Sequence, residues 1–226
     1  MLALRAAARY VCRVAAAITA PGMFVLLWCA LGAAQAKPAV VGTIVYSRAG
    51  ATEGSIWMAA GDGSSDVPIA AGEWPALSPD HHWMAYHGVY ASGSSAPQSS
   101  IFVRQLPAGA DAEVYRYGSD SANYYSFTAD SSKLFFDAIA DINAVNRDGS
   151  GLQAVILNGD GGLDDVPIVR ISDGAFAFHN ANSGLGLAKA DGSNQHFIAN
   201  TSAGDLWPQW SPDEAWLSFN HAGNLY

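Results

Sequence analysis

Charge is scarce in this chain of 226 residues: 14% of residues are charged, 11 Lys and Arg stand against 20 Asp and Glu, and the formal net charge is -9. That deficit of positive charge argues against nucleic acid or an anionic membrane surface as a partner. A basic protein face, a cation or a neutral glycan suits the chain better. Cysteine is nearly missing as well, with Cys12 and Cys29 the two present. Both fall in the N-terminal stretch, so the remainder can build no disulfide framework, thiol nucleophile or cysteine metal site. Leu, Glu and Lys are too few for a helical bundle. What is present instead is 23 Gly, abundant Ser and Asp, and 11% aromatic residues, the composition of many short strands joined by turns.

The first residues read as a targeting segment. Arg5, Arg9 and Arg13 form a basic opening, Val14 to Ala34 carries no charge, and Ala34-Gln35-Ala36 places small residues where a signal peptidase reads. Cleavage after Ala36 is expected, leaving Lys37 as the mature N-terminus. An uncleaved anchor is the alternative, because the uncharged stretch reaches the ~20 residues that span a bilayer. Lipid modification of Cys29 fits less well, since Trp28 stands where a small residue is wanted. Cleavage removes three basic residues and no acidic one, which moves the formal charge from -9 to -12. The mature chain is expected to be periplasmic or secreted, with no stable membrane insertion.

Internal repeats organise the rest. Aligned on one Asp, the chain gives "ALSPDHHWMAYHG" from Ala76, "SFTADSSKLFFDA" from Ser126, "VRISDGAFAFHN" from Val169 and "QWSPDEAWLSFN" from Gln209. Asp80, Asp130, Asp173 and Asp213 are thus 50, 43 and 40 residues apart. A second feature repeats at the same period: Ile56 and Met58, Ile101 and Val103, the less regular Ile142 to Val145, Leu185 and Leu187, and Leu225. A third, "GDGSS", "RDGSG" and "ADGSN", supplies Asp-Gly hairpin turns in which Gly accepts positive φ and Asp bonds back to the backbone. "LPAGADAE" from Leu106 is the longer counterpart in the second repeat. A period in the low forties is that of a four-stranded propeller blade.

The run of "WSPD", an alternating strand, "Ile-x-Val" and "Asp-Gly-Ser" resembles the WD40-like (PD40) propeller repeats of the TolB family, over about Val40 to Tyr226. The likeness is closest at Trp207–Phe219 and Trp74–Val103. It departs at Thr128-Ala129, where Ser-Pro is lost, and at Ile171-Ser172, where the hairpin reads as one residue shorter. The resemblance implies an exported all-β propeller and, in the TolB family, a periplasmic component of the Tol-Pal system. Similar repeats occur in propeller domains of peptidases and of oligogalacturonate lyase relatives, so the fold carries over more readily than the function.

Independently of any family, Pro at the second turn position fixes φ and Asp closes the reversal through its own side chain. The four aligned Asp residues are therefore read as structural. Strands are expected in blades at 42–70, 74–117, 124–157, 166–201 and 206–226, the first and last with three strands. The resemblance implies six or more blades in a closed ring, so truncation at Tyr226 is expected over an unusual five-bladed ring, with a monomer if the ring closes.

Candidate sites are few. His81-His82 in the first hairpin, with His87 nearby, could ligate a transition metal, but no third ligand has recognisable spacing, and a solvated turn is the reading adopted. "NGDGGLDD", Asn158 to Asp165, resembles a degenerate calcium loop without alternating ligands or a terminal Glu, and is read as an acidic linker. The mature chain has no Gly-x-Ser-x-Gly elbow, and its glycine-rich turns lead into strands rather than into a phosphate-cradling helix. No catalytic, cofactor-binding or metal residue is assigned, and no cofactor is expected, calcium being the one candidate. The expected function is a non-catalytic protein-binding scaffold, with the Asp160–Asp165 loop and aromatics near Trp74 or Tyr124-Tyr125 as contacts. The alternative is the propeller portion of an exported hydrolase or lyase whose catalytic part lies outside this chain.

Overall fold

The computed structural model describes residues 42–49, 54–90, 98–117, 124–157 and 163–226, all within one compact unit, Ala39–Tyr226. The expected signal peptide, its cleavage point and residues 158–162 of the acidic loop lie outside the described residues. Eighteen strands make five antiparallel sheets, and no helix occurs among the described residues. The architecture is a β-propeller.

Blade 1 holds β1 (Thr43–Arg48), β2 (Ser55–Ala60) and β3 (Val67–Ala71). Blade 2 holds β4 (Glu73–Leu77), β5 (Trp83–Tyr90), β6 (Gln98–Gln105) and β7 (Asp111–Arg116). Blade 3 holds β8 (Tyr125–Phe127), β9 (Lys133–Ala138), β10 (Asp141–Asn146) and β11 (Gln153–Ile156). Blade 4 holds β12 (Asp164–Val169), β13 (Phe176–Asn180), β14 (Gly184–Ala188) and β15 (His196–Phe197). Blade 5 holds β16 (Asp205–Trp210), β17 (Leu217–His221) and β18 (Asn224–Leu225). Aligned by the repeat, blade 1 has the second, third and outer strands, and blade 5 the inner, second and third.

Packing follows from alternation along each strand. Phe135 and Phe136 are adjacent in β9 and turn to opposite faces. Phe136 packs with Ala85, Ile101 and Val103 of blade 2, and Phe135 with Val169, Phe176 and Phe178 of blade 4. Met84 and Ala85 divide in the same way, Met84 joining Ile56 of blade 1. Both faces of a middle blade are covered, which is why β9 reads as a nearly continuous apolar run rather than an alternating one. Each large side chain so buried contributes about 1.5–3 kcal/mol.

Three of the four inner hairpins share one design. In the first, Ser78 Oγ donates to Asp80 Oδ1 (2.5 Å) and accepts from the Trp83 amide (3.0 Å). Thr128 repeats this with Asp130 (2.6 Å) and Lys133 (3.0 Å), and Ser211 with Asp213 (2.6 Å) and Trp216 (3.0 Å). Thr128 therefore replaces Ser-Pro without altering the turn. His81, Ser131 and Glu214 follow the Asp with φ of 60°, 60° and 57°.

The hairpin at Ile171-Ser172 is not shorter. Val169 pairs with Phe176 across six residues, as Leu77 pairs with Met84, Phe127 with Leu134 and Trp210 with Leu217. Its Asp sits one position later, and the left-handed residue becomes Gly174 (φ 75°), whose amide bonds to the Arg170 carbonyl four residues back instead of three.

The left-handed position also ties blades together. Ser131 Oγ accepts from the Asp80 amide of the preceding hairpin (3.1 Å), and the Glu214 carboxylate accepts from the Ile171 and Ser172 amides (2.7 and 3.1 Å). Gly174 has no side chain to reach back with. A cavity of about 430 Å³ lies there between the hairpins of blades 3 and 4, bordered by Ala129, Asp130, Ile171 and Gly174.

The outer turns run as expected. Gly63, Gly149 and Gly192 have φ of 81°, 82° and 78°, and Asp62, Asp148 and Asp191 accept from the amides of Ser64, Ser150 and Ser193 at 2.9–3.0 Å. Each is a type I turn followed by a bulged glycine.

Candidate functional site

Three inner strands carry, one or two residues after their start, a residue followed by proline: Trp74-Pro75 in β4, Val166-Pro167 in β12 and Trp207-Pro208 in β16. Proline has no amide to give the ladder, so pairing must skip there. The register shifts between Glu73 and Ala76, between Asp165 and Ile168, and between Leu206 and Gln209. The residue before each proline is left-handed, with φ of 50° at Trp74, 52° at Val166 and 55° at Trp207. Bulky or β-branched side chains pay about 1–2 kcal/mol each for this conformation, which persists because the surrounding structure dictates it.

The bulges bring these side chains together at the inner strands. Trp74, Val166 and Trp207 line one cavity of about 370 Å³ with Tyr124, Tyr125 and Gln209. Blade 3 has no proline here and supplies tyrosines. Trp207 Nε1 donates to Tyr124 Oη (3.2 Å) across 83 residues of sequence, and the Tyr125 hydroxyl donates to the Trp74 carbonyl. Trp74 and Trp207 are nonetheless 48% and 51% exposed. Two large apolar rings are held half in solvent by strained backbone, where burial would be the default.

An acid and an imidazole face each other across the ladder beside each bulge, outside the lining of the mouth: Glu73 and His87, Asp165 and His179, Asp205 and His221. His87 pairs with Glu73 in the ladder, and its ring lies 5.2 Å from that of Trp74. Burial holds the His87 pKa below the ordinary range against the pull of Glu73. His179 is buried, with Nδ1 2.8 Å from Asp165 Oδ1 and Nε2 3.1 Å from the Ala203 carbonyl. Burial opposes its charged form, but the hydrogen bond and charge of Asp165 prevail and raise its pKa. Asp205 is buried and bonded to His221 Nδ1 (2.7 Å) and to the Ser202 amide (2.6 Å). Burial works against its charged form, while these bonds hold its pKa below the usual carboxylate range.

The histidines weighed for a metal are not brought together. His81 and His82 occupy the hairpin loop, whereas His87 is within β5, paired with Glu73 at the start of β4. His87 lies three positions along the strand from Met84, a rise of about 10 Å. Of the acidic loop, Asp164 accepts from Asn180 Nδ2 (2.8 Å) and Asp165 is held by His179, so both anchor β12. Trp74 and Tyr124-Tyr125, expected as contacts, are at the mouth. Trp207 is the member the sequence reading did not single out, although Trp-Pro stands six residues before both Asp80 and Asp213.

Neither a scan against protein-family models nor a search of curated proteins finds a match. Solved structures do resemble the chain. TolB from Acinetobacter baumannii superposes with a TM-score of 0.65 at 17% identity, over 81% of this chain and 48% of that one. A nidogen/laminin complex gives 0.61 at 14% identity, over 80% and 71%. A gluconolactonase from Xanthomonas campestris gives 0.55 at 13% identity, over 79% and 69%. The chain spans about half the length of the TolB protein it matches. At these identities the likeness establishes the propeller fold, shared by TolB, the nidogen/laminin complex and the gluconolactonase alike.

Proposed function

We propose that the chain is an exported, non-catalytic propeller of TolB type that binds a protein partner over the end of the ring where the inner strands begin. The half-exposure of Trp74 and Trp207 around a formed cavity carries this reading. Tryptophan is the residue most enriched among energetic anchors of interfaces, and a pocket of this size is at the small end of binding sites. The backbone strain at both residues favours a functional purpose over a packing one. A net charge of -9 suits a partner with a basic face. The alternative, the propeller part of an exported hydrolase or lyase, has the same fold-level support from enzyme neighbours such as the gluconolactonase and gains nothing from the residues of the mouth.

The test is site-specific photo-cross-linking in the native host. Cross-linkers placed at 74 and 207 are compared with cross-linkers at His82 and Glu214 in the hairpins. One protein captured from the mouth positions and not from the hairpins supports the proposal. Equal capture from both sets, or none from the mouth, overturns it.

A further inference from the structure

The chemistry of the mouth is selective as well as apolar. Its lining includes Trp74, Tyr124 and Trp207 from three different blades, and no charged side chain borders it among the described residues. Aromatic faces carry negative potential and attract cations. The polar groups that remain are few. The Tyr125 hydroxyl is used by the Trp74 carbonyl and the Trp207 N–H by Tyr124, which leaves the Gln209 amide and the Tyr124 hydroxyl. A sugar with several hydroxyls would lose its water there without replacement.

Which cation fits follows from how this chain seats its own. Arg48 lies 3.9 Å over the Trp57 ring and is paired with Asp66 at 2.5 Å; Arg170 lies 5.1 Å over Trp210 and is paired with Asp173 at 2.5 Å. Two of the three guanidiniums that lie over tryptophan thus have a carboxylate to take their N–H groups; the third, Arg147, lies 4.3 Å over Trp83 with no carboxylate at ion-pair distance among the described residues. The mouth offers rings without that carboxylate. A cation with no N–H donors needs none, and its methyl groups gain from the apolar wall. The ring of Trp74 is backed by His87, whose lowered pKa favours the neutral imidazole and adds no repulsion. The negative charge of the whole chain draws a cation in.

We propose that the mouth formed by Trp74, Tyr124 and Trp207 is an aromatic cage for a fully N-methylated ammonium group, of the kind carried by choline and betaines. This deepens the reading of the mouth as a binding site and rests on it.

The experiment titrates choline chloride and tetramethylammonium chloride against the purified protein, followed by calorimetry and tryptophan fluorescence. The neutral analogue of choline, with tert-butyl in place of trimethylammonium, serves as reference. Saturable millimolar or tighter binding is expected, about tenfold stronger than for the neutral analogue. It is expected to vanish in Trp74→Leu and Trp207→Leu, which keep apolar bulk and lose the ring. If a Leu variant loses the β circular dichroism spectrum, Trp207→Phe replaces it, with weakened binding expected. No saturable response, equal binding of the neutral analogue, or unchanged binding in the folded variants would each overturn the proposal.

Vesicles assign the source: flotation with phosphatidylcholine but not phosphatidylglycerol points to a lipid headgroup, and flotation with neither to a free cation. Choline binding without a cross-linked partner keeps the cage and removes the scaffold reading. A cross-linked partner without choline binding does the reverse.

Discussion

Replacing Ser78 and Ser211 by alanine separates what the shared hairpin design contributes from what burial adds. The two hydroxyls make the same bonds, to Asp80 and Trp83 in one loop and to Asp213 and Trp216 in the other. Their surroundings differ: Ser78 is 1% exposed, whereas Trp216 beside Ser211 is 75% exposed. In Ser78→Ala the Trp83 amide loses its acceptor where water cannot replace it, a penalty of about 1–3 kcal/mol, and Asp80 loses a charge-assisted donor as well. The expected cost is thus about 2–3 kcal/mol. In Ser211→Ala water can take over both roles, and about 0.5–1 kcal/mol is expected, the net worth of an ordinary hydrogen bond. Urea unfolding followed by tryptophan fluorescence, with equal slopes for all three proteins, measures the difference. Equal costs for the two variants, or a larger one for Ser211→Ala, would show that burial does not set the value of this motif.

Three further outcomes test other parts of the structure. Gly63→Ala should cost about 1–2 kcal/mol, because a Cβ meets nothing there and only the left-handed φ is strained. Gly192→Ala should cost about 1–3 kcal/mol more, since its Cβ would sit 2.1 Å from the Val155 carbonyl oxygen; equal melting temperatures would refute that packing. His179 has a raised folded pKa, so its stabilisation is complete below the unfolded value of about 6.5 and is lost as pH rises through the folded value. His87, with a lowered pKa, contributes above about 6.5 and loses that contribution as pH falls. His179→Gln should therefore flatten the decline of stability on the alkaline side, and an unchanged slope counts against the clamp. Glu214→Ala should raise hydrogen-exchange rates at the Ile171 and Ser172 amides while leaving the Asp80 amide, held by Ser131, unchanged.

The blades were legible because their turns are built from local chemistry. A Ser or Thr two residues before an Asp, and an Asp two residues before a Ser, make bonds that any alignment on Asp exposes. The same locality misled at Asp173, where a shift of the Asp by one position looks like a deletion although the loop keeps its length. What stayed hidden is nonlocal. Ser131 reaches a residue 51 positions away and Glu214 residues 42 and 43 away, and no local pattern announces either bond. The mouth was half visible: Trp74 and the tyrosines stand out as aromatics, but proline in a strand reads as an edge or a break. That it forces a bulge, and that three such bulges meet a tyrosine from a fourth blade, emerges only when the strands share an axis.

The order in which the blades are joined bears on how the molecule comes apart. The blades pack in sequence, β1 on β4, and then inner strand on inner strand, β4 on β8, β8 on β12 and β12 on β16, and no strand packing of like extent joins β16–β18 to β1–β3 among the described residues. A closed ring must break two joints at once before a blade can leave, whereas a linear series need break only one. Cooperativity in such a series is a nearest-neighbour property, and opening starts at its ends. Blade 5 is the less covered blade: Trp216, Leu225 and Tyr226 are exposed, and no cluster of buried hydrophobic side chains includes its strands among the described residues. Blades 2 and 3, each with a buried apolar cluster on both faces, and blade 4, with one against blade 3, form the part that outlasts it. Native-state exchange should therefore grade along the chain, with the amides of β9 and β13 opening only when everything opens and those of β17 opening long before.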